Sequence, residues 1–130
     1  MECPRCKKEL APSHYTEGDL TVDVAQCPGC LGQLFARADL KRVEETVVLR
    51  PLQAPATIPT MRTQMRSVAC PRCPDHPPMG KVNNPRHSEV VMDVCSQCDS
   101  VWLDRGELAR IQEEGLFATI VWCLRWMRGD

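Results

Sequence analysis

The sequence predicts a small, metal-stabilised protein built from two tandem units, each a short β-hairpin followed by a short α-helix. Eight of the nine cysteines form four Cys-x-x-Cys pairs, and 20 and 21 residues separate the two pairs within each unit. Only 5% of the 130 residues are aromatic. A unit of about 45 residues buries too little apolar surface to fold reliably alone, so a metal or disulfides are expected to stabilise each unit.

The cysteine pairs have the spacing of metal-binding turns. Two thiols at positions i and i+3 supply half of a tetrahedral site, and two such pairs joined by a hairpin form a zinc ribbon. Pairing within a unit closes much shorter loops than pairing between units. We therefore expect two zinc ions, one bound by Cys3, Cys6, Cys27 and Cys30 and the other by Cys70, Cys73, Cys95 and Cys98.

Both predicted zinc sites are expected to be structural. Four thiolates fill every coordination position, so no position is left for a reactive water. Prolines stand inside three of the cysteine pairs, and they favour a rigid turn over a redox-active pair. Iron in a rubredoxin-like site and a thiol-disulfide switch are the alternatives.

The remaining cysteine and the histidines are expected to play no part in metal binding. Four thiols are already available for each site, so His14, His76 and His87 are predicted to be loop residues. Cys123 is predicted to be a buried thiol on a terminal helix.

The first unit is expected to span residues 1–45. Apolar and polar residues alternate between positions 20 and 24, which indicates a strand leading to Cys27. A helix is expected to follow the fourth cysteine, but Ala36 stands where a capping side chain would be. Loss of a cap typically costs ~1 kcal/mol, so this helix is expected to be shorter or more frayed than its counterpart.

Residues 46–69 are predicted to form a linker between the units. They contain three prolines, the arginines Arg50, Arg62 and Arg66, and no acidic residue. An extended linker of this length could separate the units by several tens of ångströms. Alternatively, residues 47–52 would pack on one ribbon as an edge strand.

The second unit is expected to span residues 70–115. Alternation between positions 90 and 94 predicts a strand, and Asp104 with Glu107 has the spacing of a helix-capping box. Trp102 is expected to form the small core of this ribbon.

The last segment, residues 116–130, is predicted to form an apolar amphipathic helix that carries Trp122 and Trp126 one turn apart. Its nine uncharged residues are too few to span a bilayer, which needs about 20. We expect this helix to dock on the second ribbon or on a second copy of the chain. A partner protein and the surface of a membrane are the alternatives.

The motifs of the second unit resemble those of a known family. Cys-Pro-Arg-Cys, a strand ending in Val-Cys, and the run Trp-Leu-Asp-Arg-Gly-Glu-Leu from Trp102 to Leu108 are similar to the short prokaryotic zinc-ribbon family named after transcription factor IIB. The first unit is a looser match, because Leu34 replaces the tryptophan. The resemblance implies two tandem zinc-binding ribbons, each with a following helix, and the family's name suggests transcription.

The charge distribution bears on function. The first unit has six basic and eight acidic side chains, and the second has five and eight. Each zinc bound by four thiolates adds a formal charge of about −2. DNA binding depends largely on clustered basic side chains, and the ribbons have none.

We therefore expect a non-enzymatic, cytoplasmic protein-interaction or adaptor module. No set of nucleophile, base and orienting group is visible, and no secretory signal precedes the first cysteine. Nucleic-acid binding or a role in a transcription complex is the alternative.

Overall fold

The computed structural model describes residues 1–45, 58–84 and 89–111. The elements in chain order are β1 (Ala11–Glu17), β2 (Leu20–Gln26), β3 (Gln33–Ala36), α1 (Arg37–Glu45), α2 (Met61–Gln64), β4 (Gly80–Asn83), β5 (Val91–Val94) and β6 (Ser100–Leu103). Residues 107–111 are also helical. The predicted hairpins correspond to β1–β2 and β4–β5, so the mostly-sheet character of the prediction is confirmed.

The strands of both units form a single antiparallel sheet. Its order is β1-β2-β3-β6-β5-β4, so a third strand from each unit lies at the centre. These two strands, β3 and β6, pair with each other over four residues. The two ribbons are therefore in direct contact, and they are not held several tens of ångströms apart on an extended linker. The alternating pattern of the hairpins gave no sign of the short central strands.

The pairing of β3 with β6 relates the two ribbons by an approximate twofold axis. Leu34 stands opposite Trp102, and these two residues occupy the same position in their respective ribbons. The next pairs on either side are related in the same way. Gln33 faces Leu103 and Phe35 faces Val101, where Gln33 is equivalent to Val101 and Phe35 is equivalent to Leu103. Each residue of one ribbon thus has a counterpart in the other that can be compared directly.

Each face of the sheet carries its own apolar core. One core lies under the helices and includes Phe35, Val43, Leu103 and Ile111. The other surrounds the cysteines and includes Leu34, Met79 and Trp102. Because successive strand residues point to opposite faces, Leu34 and Phe35 contribute to different cores. The sheet is therefore buried on both sides at its centre.

The first helix begins without a capping side chain. Ala36 precedes it, and the amide of Arg37 instead donates to the carbonyl oxygen of Asp99 in the second ribbon, 2.9 Å away. Leu40 and Val43 are buried against the sheet. Packing and this inter-ribbon hydrogen bond thus support α1 over nine residues. We predicted that α1 would be shorter or more frayed than the second helix. This comparison lies outside the described residues, because the second helix is described only to Ile111.

The end of the predicted linker is structured. Thr60 caps α2, and its side chain accepts a hydrogen bond from the amide of Thr63. Gln64 is 1% exposed, which is unusual for a polar residue in a linker. The possible edge strand at residues 47–52, the helix C-terminus at Gly115 and the apolar helix of residues 116–130 all lie outside the described residues.

Candidate metal centres and the contacts between the ribbons

The structure brings the four thiols of each predicted set together. Within each group, all sulfur atoms lie within 4.8 Å of one another. In the first group, the shortest separations are 3.2 Å between Cys6 and Cys27 and 3.5 Å between Cys3 and Cys30. In the second, Cys70 lies 3.6 Å from Cys98 and Cys73 lies 3.7 Å from Cys95. The eight residues are those that the sequence predicted.

The turn after the second cysteine pair has the same backbone form in both ribbons. Leu31 and Asp99 occupy equivalent positions after the second cysteine pair, with φ of 62° and 59°. Their amides donate to the carbonyl oxygens of Cys27 and Cys95 at 3.0 and 2.9 Å. Such left-handed positions are costly for a residue with a side chain, so the surrounding turn must stabilise them. The repeated geometry fixes where the thiols point.

Amide hydrogen bonds also reach the sulfur atoms. The amides of Arg5 and Cys6 both donate to Cys3 Sγ, and the amide of Gly29 donates to Cys27 Sγ, each at 3.4 Å. Such donors stabilise the thiolate over the thiol, which is the form that binds metal.

The thiols of one site differ in how readily they ionise. A backbone hydrogen bond involving Lys8, helped by Cys27, lowers the pKa of Cys6 to about 6. At the other site, burial opposes ionisation of Cys98, but hydrogen bonds with Ser100, together with those with Cys73 and Cys70, lower its pKa to about 6. Burial raises the pKa of Cys3 and Cys70. Each group therefore has one thiol ready to bind metal, and metal binding must displace protons from others.

Both groups fit a zinc ion. Sulfur atoms bound about 2.3 Å from zinc at tetrahedral angles lie roughly 3.8 Å apart, and the observed separations of 3.2–3.7 Å are close to this value. Four soft sulfur ligands are the set that zinc prefers for a structural site. Within residues 1–45, 58–84 and 89–111, no further group of three or more histidine, cysteine or acidic side chains converges in this way.

Neither His14 nor His76 belongs to either group of thiols. His14 is in strand β1, not in a loop as predicted, and its Nδ1 is 3.0 Å from Asp23 Oδ1. His76 is in a turn with φ of 46°, and its Nδ1 lies 2.9 Å from the carbonyl oxygen of Cys70. His87 and Cys123 lie outside the described residues.

A buried charged cluster joins the ribbons next to the metal centres. The guanidinium of Arg5, which lies between Cys3 and Cys6, crosses to the second ribbon and donates to both carboxylate oxygens of Asp104 at 3.0 Å. It also lies 3.4 Å from Asp93 Oδ2, and Lys81 Nζ lies 2.6 Å from Asp93 Oδ1. The side chain of Asp93 is fully buried. Two cations thus compensate two buried carboxylates, as burial of charge requires.

The same cations hold helix α2 in place. Arg5 donates to the carbonyl oxygens of Thr63, Gln64 and Arg66 at 3.0, 3.2 and 3.1 Å. Lys81 Nζ donates to the carbonyl oxygen of Gln64 at 2.6 Å and also to that of Arg66. Thr63 and Gln64 are the last residues of α2 and Arg66 follows it, so these carbonyls lie at the C-terminus of the helix, where the regular i to i+4 hydrogen bonds end. The cluster therefore connects the first ribbon, the second ribbon and α2.

Only half of the predicted capping box is present. Glu107 Oε2 accepts a hydrogen bond from the amide of Asp104 at 2.8 Å. The Asp104 carboxylate does not complete the box, because it accepts instead from Arg5 and from Trp102 Nε1, the latter at 3.0 Å. The sequence prediction that Asp104 caps the helix is thus wrong for its side chain. Arg5 is distant in sequence, and nothing in the local motif indicates its contact.

Glu107 is fully buried, and within the described part of the chain no cation forms an ion pair with it. Burial, reinforced by the nearby Asp104 carboxylate, raises the pKa of Glu107 to about 9. Burial also raises the pKa of Asp93, although Lys81 and Arg5 oppose the effect. At neutral pH Glu107 is therefore a neutral acid that accepts one hydrogen bond from the backbone.

Trp102 is fully buried and lies at the junction of the two ribbons, whereas the sequence placed it in the core of the second ribbon alone. A Cβ added to Gly32 of the first ribbon would lie 2.2 Å from the Trp102 ring. Only glycine therefore leaves room for this ring. The counterpart of Gly32 in the second ribbon is Ser100, which pairs with Ala36 of the first ribbon.

No helix in the described part of the chain is long and apolar enough to cross a membrane.

Comparison with protein families gives two matches to one model. A family described as transcription factor zinc-finger matches residues 2–46 and 69–114. The two segments contain the two groups of four cysteines, so the predicted resemblance, the tandem repeat and the two structural zinc ions are confirmed. Comparisons with curated proteins and with solved structures gave no match.

Proposed function

The chain belongs to the transcription factor zinc-finger family, and we propose that it acts as a non-enzymatic adaptor that binds other proteins through its paired zinc ribbons. The observation that carries the proposal is that each metal centre has four thiols within 4.8 Å of one another. Zinc held by four thiolates has no open position for substrate or water. The metals therefore serve the fold and leave the surface free for recognition.

The buried ionisable groups support the same proposal. Arg5, Lys81, Asp93 and Asp104 contact one another, and two of them bind the carbonyls after α2. A catalytic acid or base must reach a substrate, usually in a cleft. Asp93 and Glu107 are both 0% exposed, so neither can do so without opening the fold. In this proposal, the contacts of Arg5 with Asp93 and Asp104 hold the two ribbons together.

Binding to nucleic acid or to a transcription complex is the second candidate. The description of the family favours it, and Arg62 and Arg66 are exposed at and just after α2. Against it stands the net charge of −1 for the chain before the zinc-thiolate charges are added. Nucleic-acid affinity rests largely on neutralising phosphates with clustered basic groups, and two arginines supply little of this.

Two assays on the zinc-loaded full chain separate these candidates. For the adaptor, we expect tagged protein to co-purify at least one protein partner, and a Cys95→Ser variant to lose it because the fold is disrupted. For nucleic acid, fluorescence anisotropy with single- and double-stranded probes between 50 and 200 mM salt is expected to show no micromolar binding. Binding with a micromolar or lower Kd would contradict the adaptor role if it falls with added salt and is weakened in a double variant with Arg62→Ala and Arg66→Ala.

A further inference from the structure

Both ribbons have an equivalent surface, and α2 covers it on the second ribbon. In each ribbon, this surface is the metal-facing side of the outer hairpin, and it lies next to the arginine in the first cysteine pair of the other ribbon. In the second ribbon, α2 covers this surface: Gln64 Oε1 accepts from the amide of Val91 at 2.8 Å, and Gln64 Nε2 donates to the carbonyl oxygen of Glu89 at 3.2 Å. Val91 is accordingly 1% exposed. A short segment of the chain is thus the natural occupant of this surface.

The equivalent surface of the first ribbon is a groove of about 440 Å³ that no segment within residues 1–45, 58–84 and 89–111 covers. Its lining includes Leu10, Pro12, His14, Asp23, Ala25 and Arg72. Asp23 is the counterpart of Val91, and its side chain is 92% exposed. Among the described residues, no side chain binds the amide of Asp23 as Gln64 binds that of Val91.

Arg72 is the counterpart of Arg5 but lacks its acidic partners. The positions equivalent to Asp93 and Asp104 are Ala25 and Ala36 in the first ribbon, and Pro12 replaces Lys81. Arg72 is exposed, and in residues 1–45, 58–84 and 89–111 no carboxylate forms an ion pair with it. The groove therefore presents a mostly apolar lining next to Arg72, and the acidic side chain in that lining, Asp23, lies 3.0 Å from His14 Nδ1 and forms no ion pair with Arg72.

We infer that this groove binds a short segment of a partner protein that carries a carboxylate, in the place that α2 takes on the second ribbon. The inference rests on the proposed adaptor role and names the surface that performs it. On the second ribbon, α2 shows that a single helical turn fits this surface. The hydrogen bonds from Arg5 to the carbonyl oxygens of Thr63 and Gln64 show how an arginine can bind such a segment. The first ribbon has no acid at positions 25 and 36, and the Asp23 carboxylate is placed against His14, so in this proposal the partner supplies the carboxylate for Arg72.

A synthetic peptide tests this inference. The probe has the sequence of residues 58–67 with an Arg66→Asp change and blocked termini, because the carbonyl of Arg66 lies 3.1 Å from the equivalent arginine, Arg5. Added to zinc-loaded, isotope-labelled full chain, it is expected to shift the amide signals of His14, Asp23 and Ala25 with Kd below about 1 mM. A matched peptide with asparagine in place of the new aspartate is expected to bind about tenfold more weakly.

Variants of the protein complete the test. Arg72→Ala is expected to weaken binding of the acidic peptide about tenfold, whereas Arg105→Ala, which changes another exposed arginine outside the groove, is expected to leave it unchanged. Ala36→Asp is also expected to weaken binding, because it gives Arg72 a carboxylate within the chain. Arg72 is exposed, so its substitution should not prevent folding, and spectra of the free variant check this.

Three results would overturn the inference: no shifts below about 1 mM peptide, shifts centred outside the groove, or equal binding by Arg72→Ala. Contacts between residues 112–130 and the groove in the free protein would also overturn it, since the chain would then cover its own surface. If protein partners are still captured by Arg72→Ala, the groove is wrong but the adaptor role stands. If no partner is captured by any variant, the adaptor role itself fails.

Discussion

The two ribbons share a backbone but differ in the chemistry of one equivalent surface. The three equivalent positions are Lys81, Asp93 and Asp104 in the second ribbon and Pro12, Ala25 and Ala36 in the first. The second ribbon therefore receives Arg5 from its neighbour into a buried charged cluster, whereas the first leaves Arg72 in an open groove. The zinc ligands are the same in both ribbons, so residues outside the ligand set decide whether described residues cover that surface.

The largest effect is expected from the metal sites, because a structural zinc contributes on the order of 10 kcal/mol. Cys27 and Cys95 are equivalent ligands, and each change, Cys27→Ser or Cys95→Ser, is expected to remove one zinc. Since β3 pairs with β6, each should also weaken zinc binding at the intact site by about tenfold or more. Native mass spectrometry counts the zinc ions, and competition with a chelator measures the remaining affinity. Unchanged affinity at the intact site would show that the ribbons fold independently.

Arg5 and Arg72 test the asymmetry directly. Arg5→Ala leaves the buried carboxylates of Asp93 and Asp104 without their shared cation, and such losses typically cost about 3–5 kcal/mol. Arg72→Ala removes an exposed side chain and is expected to cost less than about 0.5 kcal/mol. Urea unfolding of the zinc-loaded variants compares the two. Equal losses would mean that the charged cluster does not distinguish the ribbons.

Glu107, which is in the second ribbon, is expected to make the stability of the protein depend on pH. Its pKa of about 9 in the folded protein lies above the ordinary value of 4.5, so the folded state binds more protons between these values. Its contribution to stability is therefore full below pH 4.5 and is lost as pH rises toward 9. Glu107→Gln, which stays neutral, is expected to gain stability relative to the parent by on the order of 3 kcal/mol between pH 5 and pH 9.

Thermal unfolding at several pH values with excess zinc measures the difference in stability between Glu107→Gln and the parent. Because both proteins have the same thiols, the contribution of the thiols cancels in this difference. Glu2→Gln, which changes an exposed acid, is the control and should show no trend. A constant difference for Glu107→Gln across the pH range would mean that the carboxyl is ionised in the folded state.

The smallest effect is expected at the junction of the ribbons. Gly32→Ala places a methyl group 2.2 Å from the Trp102 ring, and such overpacking typically costs about 1–3 kcal/mol. Gly29→Ala is the matched control, because its new Cβ meets only the flexible end of Lys8 at 2.7 Å. Thermal unfolding should rank Gly32→Ala clearly below Gly29→Ala. The opposite ranking would show that the ring of Trp102 can move aside.

Much of the metal chemistry could be read from the sequence because its determinants are local. The i, i+3 spacing of the cysteines fixes which thiols share a turn, and the short loops within each unit decide which turns meet. The buried faces of Val22, Val24, Val90 and Met92 follow from alternation in the same way. Half of the capping box, the contact of Glu107 with the amide of Asp104, is equally local.

The contacts that join the ribbons could not be read in this way. Arg5 and Asp104 are 99 residues apart in sequence, and an arginine between two cysteines looks like any solvated side chain. Gln64, in a segment rich in proline and arginine, gave no sign that it would be buried. The central strands β3 and β6 have only four residues each, too few for a pattern to stand out.

The sequence by itself determined that the chain binds two zinc ions through eight cysteines in two repeated ribbons, because ligand type and spacing are properties of neighbouring residues. The tertiary structure decided that the ribbons form one sheet, that Asp104 pairs with Arg5, and that α2 covers one of two equivalent grooves while no other described segment covers the second. These outcomes depend on which surfaces meet across the twofold axis. Burial then sets the strength of each charge, and burial exists only once the chain has folded.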